Sequence, residues 1–324
     1  MSLAIRIHRH GGPEALTLDN VKVGAPGKGQ VLLEQRAIGV NFIDVYHRTG
    51  LYPVTLPTTI GLEAAARVEA VGEGVVDWQP GDRVAYAGGP LGAYAQRRLM
   101  PAERLVRLPD EIDDRAAASM MLQGMTVQYL VRQTYRVSPG ETVLWHAAAG
   151  GVGLIACQWL RALGATVIGT VGSDEKAALA KAHGCTHTIN YRRENFVERV
   201  RELTDGLGVP VVYDSVGRDT FEGSLDCLQR RGLLVSFGNA SGAVPPFSLG
   251  VLAQKGSLFV TRPNLAGYTA ARDDLLQCAG ELFEQVRAGT VRVATHHAYP
   301  LAEAAHAHRD LEARKTTGSI VLLP

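Results

Sequence analysis

Thr142-Val143-Leu144-Trp145-His146-Ala147-Ala148-Ala149-Gly150-Gly151-Val152-Gly153 decides how the rest of this chain is read. A short apolar, β-prone run gives way to small residues. It then opens a segment with apolar side chains at Val152, Ile155, Ala156, Trp159, Leu160 and Leu163, the spacing of one helix face. The expected local structure is strand, tight turn, helix. With Ala148 in the place of the first glycine, Gly150 and Gly153 complete a variant of G-x-G-x-x-G. At Gly150 the absence of a side chain opens the backbone to a pyrophosphate, and at Gly153 it lets helix and strand pack closely. The N–H groups at the helix start favour the anion.

The pattern repeats outward from this turn. Gly164 stands where a helix C-cap is expected, and Ala165 to Val171 reads as a second strand, closing a βαβ unit of about 30 residues. Ser173 caps a helix with Asp174 and Glu175 in its first turn and Gly184 at its end. Further strands are expected at 188–191, 211–214, 233–237 and 258–261, with helices at 196–203 and 225–228 between them. Such alternation predicts a doubly wound α/β fold around a parallel sheet.

The first 120 residues have another texture. β-type runs at 4–7, 31–35, 66–71 and 83–86 are separated by Gly11-Gly12-Pro13, Pro26-Gly27, Gly72-Glu73-Gly74 and Pro80-Gly81-Asp82, which predicts a mostly antiparallel β domain. Residues 111–132 are helix-rich, with a break expected at Gly124. After Thr261 the chain is helical at 273–288 and 301–312 and closes on the strand Ser319-Ile320-Val321-Leu322. A final strand of this kind returns most simply to the first domain, which makes that domain discontinuous. The expected division is 1–124, 125–262 and a C-terminal return over 263–324.

At 324 residues the chain holds two domains, and 33 basic against 32 acidic residues imply no general attraction to nucleic acid or anionic membrane. Cys157, Cys185, Cys227 and Cys278 are too scattered for a local metal cluster and read as reduced, buried thiols. No run approaches 18 apolar residues, so a cytoplasmic protein is expected.

With these residues in view, the chain resembles the medium-chain dehydrogenase/reductase superfamily. Within it, the chain is similar to the quinone oxidoreductase (zeta-crystallin-like) family, of the bacterial NADPH:quinone reductase type. The likeness rests on Gly140-Glu141, Leu144, Ala148 to Gly151, Gly153, Gln158 and Arg161, on Val68-x-x-Val71-Gly72-x-Gly74-Val75 and on Gly81-Asp82-Arg83-Val84. It extends to Asn41-Phe42-Ile43-Asp44, Val212 to Gly217 and Val235-Ser236-Phe237-Gly238. The resemblance implies a GroES-like catalytic domain beside a Rossmann domain, a bound NADPH and a homodimer. Zinc alcohol dehydrogenases, of related fold, use a Cys and a Gly-His-Glu to hold metal. Here the stretch around Asn41 lacks a Cys and Gly61-Leu62-Glu63 has Leu62 in the imidazole position, so no metal is expected.

The resemblance further implies a nicotinamide between the domains, with Asn41 beside it and Tyr46, Tyr52 and Tyr129 around the cleft. Asn41, Tyr46 and Tyr52 are the candidate catalytic residues. Cofactor contacts are implied for Asn41, Phe42, Tyr129, Gly150, Gly151, Val152, Gly153, Ser215, Phe237, Gly238, Asn239 and Arg314. A NAD-selective site places an acid after the second strand; here Gly172-Ser173 stands there, and Lys176 with Ser173 and Tyr191 is suited to a 2′-phosphate, with Arg192 or Arg193 adding charge. Asp174 is a complication unless turned away from the phosphate. Without a metal to stabilise an alkoxide, an easily reduced acceptor is expected, a quinone first and the double bond of an enone or alkenal second. Zeta-crystallin relatives also suggest a single-stranded RNA-binding role, which the neutral charge and scattered aromatics do not support.

Overall fold

The computed structural model describes residues 1–324, and the chain divides into two units. One comprises Met1–Met125, Tyr268–Arg287 and Val293–Pro324; the other comprises Thr126–Gly267 and Ala288–Arg292.

In the second unit the apolar runs form a six-stranded sheet in the order His187–Asn190, Thr166–Val171, Thr142–Trp145, Val209–Asp214, Leu228–Ser236, Phe259–Thr261. Every neighbouring pair is parallel. The chain winds outward from Thr142–Trp145 to one edge and then crosses back to Val209–Asp214, so the strand order reverses between these two. In open α/β sheets ligands bind beyond the strand ends at this reversal. The strands are near-continuously apolar because helices cover both faces; Leu144, Ile168, Ile189, Val212 and Leu234 form the centre of one core. The helix expected at 225–228 lies earlier, at Phe221–Asp226, because Leu228 already belongs to the next strand and pairs with Val209.

The first unit is a seven-stranded sheet running Thr295–Pro300, Ser319–Leu323, Gln30–Val40, Glu63–Val71, Arg83–Ala87, Val106–Arg107, with Arg97–Pro101 also paired to Gln30–Val40. A smaller sheet joins Leu16–Val21, Ser2–Ile7 and Thr58–Thr59. Ser319–Leu323 lies antiparallel to Gln30–Val40, with Ile320 opposite Val40. The C-terminal strand thus completes the sheet begun near the N-terminus.

Two expectations need correction. Gly124 does not break a helix; Met121–Tyr129 runs through it. A Cβ there would lie 2.7 Å from Leu282 Cδ2, so the glycine lets the helix Arg272–Arg287 approach. The chain also leaves the nucleotide-type unit later than residue 262, and 288–292 rejoins it. Arg292 N donates to Gln158 Oε1 at 2.9 Å and Gln158 Nε2 to Arg292 O at 3.2 Å, a pairing no local pattern announces. All four cysteines are buried and free, and the Cys185 thiol donates to His187 O at 3.1 Å. No helix is long and apolar enough to cross a membrane.

Candidate functional site

In the first unit the candidate residues gather at the helix Phe42–Thr49. Asn41 is its N-cap, with extended backbone (φ −130°), and Gly50 ends it in the left-handed region (φ 83°). Asp44 Oδ2 accepts from Asn41 N at 2.9 Å, fixing the entry of the chain into the helix. Phe42 and Tyr46, one turn apart, have ring centroids 6.4 Å apart, and Tyr52 meets Tyr46 edge-on at 5.2 Å and His47 at 6.0 Å. Asn41, Phe42, Tyr46 and Tyr52 are therefore brought together.

The Asn41 side chain is held at both ends. Its Nδ2 donates to Glu63 Oε2 at 2.6 Å, and its Oδ1 accepts from Gln123 Nε2 at 3.3 Å. Gln123 is fixed in turn by Ser319, whose hydroxyl lies 2.8 Å from Gln123 Oε1 and 2.8 Å from Ser119 O. Glu63 also accepts from Leu122 N at 2.8 Å. Gly39 makes room for this carboxylate, since a Cβ there would overlap Glu63 and the carbonyl oxygen of Ala118. An amide carries two N–H donors and two oxygen lone pairs, so one of each remains for a ligand.

Glu63 and Asp44 are fully buried carboxyl groups. Burial pushes Glu63 up to about 8, against the opposing donors Asn41 and Leu122, with the charge of Asp44 adding to the rise. Burial pushes Asp44 up to about 7, opposed by Asn41 N and the Tyr94 hydroxyl. Tyr94 Oη also lies 3.0 Å from His308 Nε2, and Arg48 forms a two-pronged pair with Glu312 at 2.9 and 2.8 Å. Burial and the Arg48 charge hold His308 down at about 3.

In the second unit Gly150 is the N-cap of the helix Gly151–Ala162, with no side chain capping it. The first bond of that helix runs from Leu154 N to Gly150 O at 2.9 Å, so the N–H groups of Gly151, Val152 and Gly153 precede the ladder. A Cβ on Gly150 would meet only Ala147 O, at 3.3 Å. On Gly153 it would lie 2.6 Å from Ala148 O and overlap Ala147 O as well. Gly153 is thus required by packing, whereas at Gly150 a single backbone oxygen stands close, beside an uncapped helix start, the arrangement that accepts an anion.

At the neighbouring strand end Ser173 caps the helix Asp174–Ala182, accepting from Lys176 N at 3.3 Å. A Cβ on Gly172 would lie 2.6 Å from the Tyr191 hydroxyl, so these two positions adjoin. Asp174 accepts from Asn190 Nδ2 at 3.1 Å and pairs with Arg193 at 2.8 Å. The carboxylate that complicates the sequence pattern is thus engaged by Asn190 and by the exposed Arg193. Beyond the next strands, Phe237 N donates to Asp214 O at 2.8 Å, and a Cβ on Gly238 would lie 2.8 Å from Ser215 Cα. The Asn239 amide, turned to satisfy its neighbours, donates to Gly238 O and accepts from Arg262. Tyr129 is buried in the second unit, and Arg314 follows the last helix of the first, with φ 56°.

Three partners escaped the sequence reading. Glu63 was visible only as the neighbour of a missing histidine, although an acid opening the apolar run Glu63-Ala64-Ala65-Ala66 is itself a signal. Gln123 and Ser319 carried none. No group of three or more His, Cys, Asp or Glu side chains is placed to hold a metal ion.

Residues 27–110 match the alcohol dehydrogenase GroES-like domain and residues 151–280 match the zinc-binding dehydrogenase family. The chain is 55% identical to a quinone oxidoreductase of Pseudomonas aeruginosa, over 100% of both chains. It is 51% identical to a 2-haloacrylate reductase of Burkholderia sp, covering 100% of this chain and 99% of that one. The crystal structure of Escherichia coli quinone oxidoreductase complexed with NADPH superimposes with a TM-score of 0.98 at 51% identity, covering 99% of this chain and 100% of the other. Full-length identity at this level, on the same two-unit architecture, means that the chain belongs to the quinone oxidoreductase family of the medium-chain dehydrogenase/reductase superfamily.

Proposed function

We propose that this protein is an NADPH-dependent quinone reductase that works without a metal ion. The observation that carries the reading is the 55% identity to a quinone oxidoreductase along the whole chain. NADPH is named for the similar Escherichia coli structure, and the residues here fit it. The open backbone at Gly150 and the uncapped N–H groups of Gly151 to Gly153 suit a pyrophosphate; Ser173, Lys176 and Tyr191 suit a 2′-phosphate; Ser215, Phe237, Gly238 and Asn239 flank the strand reversal. When bound, the nicotinamide supplies the reducing equivalents.

The chain's own part is binding and orientation. Asn41, pinned by Glu63 and Gln123, keeps one donor for a carbonyl oxygen and one acceptor for a carboxamide N–H of substrate or cofactor, and Phe42, Tyr46 and Tyr52 provide aromatic surface for a planar ring. Tyr129 and Arg314 join the cofactor contacts on the strength of the family resemblance. The protein is proposed to act in the cytoplasm as a homodimer. Supporting the dimer, the edge strand Phe259–Thr261 leaves Phe259 60% exposed, a surface suited to pairing with a second copy. Sedimentation would test it.

NADPH oxidation followed optically with benzoquinone or naphthoquinone should show turnover that survives prolonged chelation. A second reading has its own support in the 51% identical 2-haloacrylate reductase. Efficient reduction of a 2-haloacrylate with no turnover of any quinone would transfer the assignment to activated double bonds.

Lys176→Ala should raise the Michaelis constant for NADPH by about 10- to 100-fold, the worth of a charge-assisted hydrogen bond, and leave that for NADH nearly unchanged. Equal effects on both would remove Lys176 from the site. Tyr52→Phe keeps the edge-on packing against Tyr46 and loses only the hydroxyl. Its rate should fall by less than the ~100-fold expected for loss of a general acid, because a quinone needs little activation.

A further inference from the structure

His146 follows the strand Thr142–Trp145 and precedes Ala147, whose φ is 56°. It is buried to 1% exposure, and both ring nitrogens have partners: Nδ1 lies 3.0 Å from Thr170 Oγ1 and Nε2 lies 3.0 Å from Ser224 Oγ. The direction of each bond follows from counting protons. Ser224 Oγ donates to Asp214 Oδ2 at 2.9 Å, and a hydroxyl has one proton, so Ser224 accepts from the imidazole. His146 Nε2 therefore carries the hydrogen. At the other nitrogen, Thr170 Oγ1 accepts from Ala147 N at 3.3 Å and has its own proton left for Nδ1.

The result is a one-way chain: Ala147 N–H to Thr170, Thr170 to His146 Nδ1, His146 Nε2–H to Ser224, and Ser224 to Asp214. Asp214 Oδ1 also accepts from Val216 N at 2.8 Å and Gly217 N at 3.0 Å, and the Thr220 hydroxyl lies 2.9 and 2.7 Å from the two carboxylate oxygens. One end of the chain thus fixes the turn that leads into Gly150–Gly153, and the other fixes the loop after Ser215. The two loops lie on either side of the strand reversal, so the imidazole ties them across it. Around the ring stand Thr170, Ser224 and Asp214, with Phe196 edge-on at 5.1 Å. Burial lowers the proton affinity of the ring, with the Asp214 charge opposing it in part, which suits a histidine that stays neutral.

We propose that His146 is a positioning residue for dinucleotide binding: as the neutral Nε2–H tautomer between Thr170 and Ser224, it holds the glycine turn and the loop 215–217 in mutual register. The proposal rests on the reading that these loops hold NADPH. Two measurements test it. In the ligand-free, 15N-labelled protein, ring nitrogen shifts should report hydrogen on Nε2 alone, unchanged from about pH 6 to pH 8, a range spanning the ordinary histidine value. Fluorescence titration should show His146→Leu weakening NADPH binding by about 10- to 100-fold, more than it lowers kcat at saturating NADPH, the loss expected when a ligand cradle is misaligned.

His146→Gln, which retains a donor toward Ser224, should recover part of the affinity, and Thr170→Val, which cuts the chain at its other end, should weaken binding in the same direction. A ring protonated on Nδ1, or variants that lower the melting temperature while binding NADPH as the parent does, would overturn the proposal alone. A parent protein that binds no NADPH would overturn the underlying reading and the proposal with it.

Discussion

Gly153→Ala should lower NADPH affinity by at least ~100-fold, the order of effect produced when a binding element is displaced by about 1 Å. The added Cβ would lie 2.6 Å from Ala148 O and 2.7 Å from Ala148 C, and it would overlap Ala147 O. These are backbone atoms, so no flexible side chain can give way. The helix Gly151–Ala162 must instead move off the strand end, carrying the N–H groups of Gly151 and Val152 with it. The same overpacking costs about 1–3 kcal/mol of stability, so the melting temperature should fall as well.

Gly150→Ala separates packing from binding. At φ −78° and ψ 170° alanine is unstrained, and its Cβ would meet only Ala147 O, at 3.3 Å. Its melting temperature should fall by less than that of Gly153→Ala, through the one close backbone contact and the poorer helix cap, while NADPH affinity falls, because the space it fills is the space proposed for the pyrophosphate. Equal NADPH binding by Gly150→Ala and the parent would show that the turn does not receive a pyrophosphate in this way.

Glu63→Gln should become progressively more stable than the parent as pH rises from about 4.5 to about 8, with a constant advantage above that. The folded protein raises the Glu63 value, so the neutral acid is what the fold favours. The group's contribution to stability is full below its unfolded value of 4.5 and is lost as pH rises through about 8. Glutamine does not titrate and escapes that loss. Around the carboxyl stand Asn41 Nδ2, Leu122 N, Met121 N and the charge of Asp44, and Asp44 is common to both proteins. A tenfold change in proton affinity is worth about 1.4 kcal/mol, so the rise from 4.5 to about 8 makes an advantage of ~5 kcal/mol the expected order. For a unit of this size that is about 10–20 °C in melting temperature. Melting curves at pH 5 and pH 9 suffice. A difference that does not grow with rising pH would mean that Glu63 is ionised at little cost in the folded protein.

The sequence by itself determined the α/β alternation, the glycine turn, the Ser173 cap and the return of Ser319–Leu323 to the first sheet. Each is written in features a few residues wide: apolar periodicity, a glycine where backbones approach, a capping hydroxyl at a helix start. Only the tertiary structure decided what surrounds the chemistry. Asn41 is held by Glu63 and Gln123, and Gln123 in turn by Ser319, 196 positions further along the chain. Gly124 looked like a helix break because its reason for being glycine is Leu282 on another helix. Nothing along the chain marks His146, because Thr170, Ser224 and Asp214 reach it from other strands and a helix. Periodicity is imposed by a residue's own backbone and can be read along the chain. A buried polar group is satisfied by whichever donor the fold carries to it, and chain separation holds no trace of that choice.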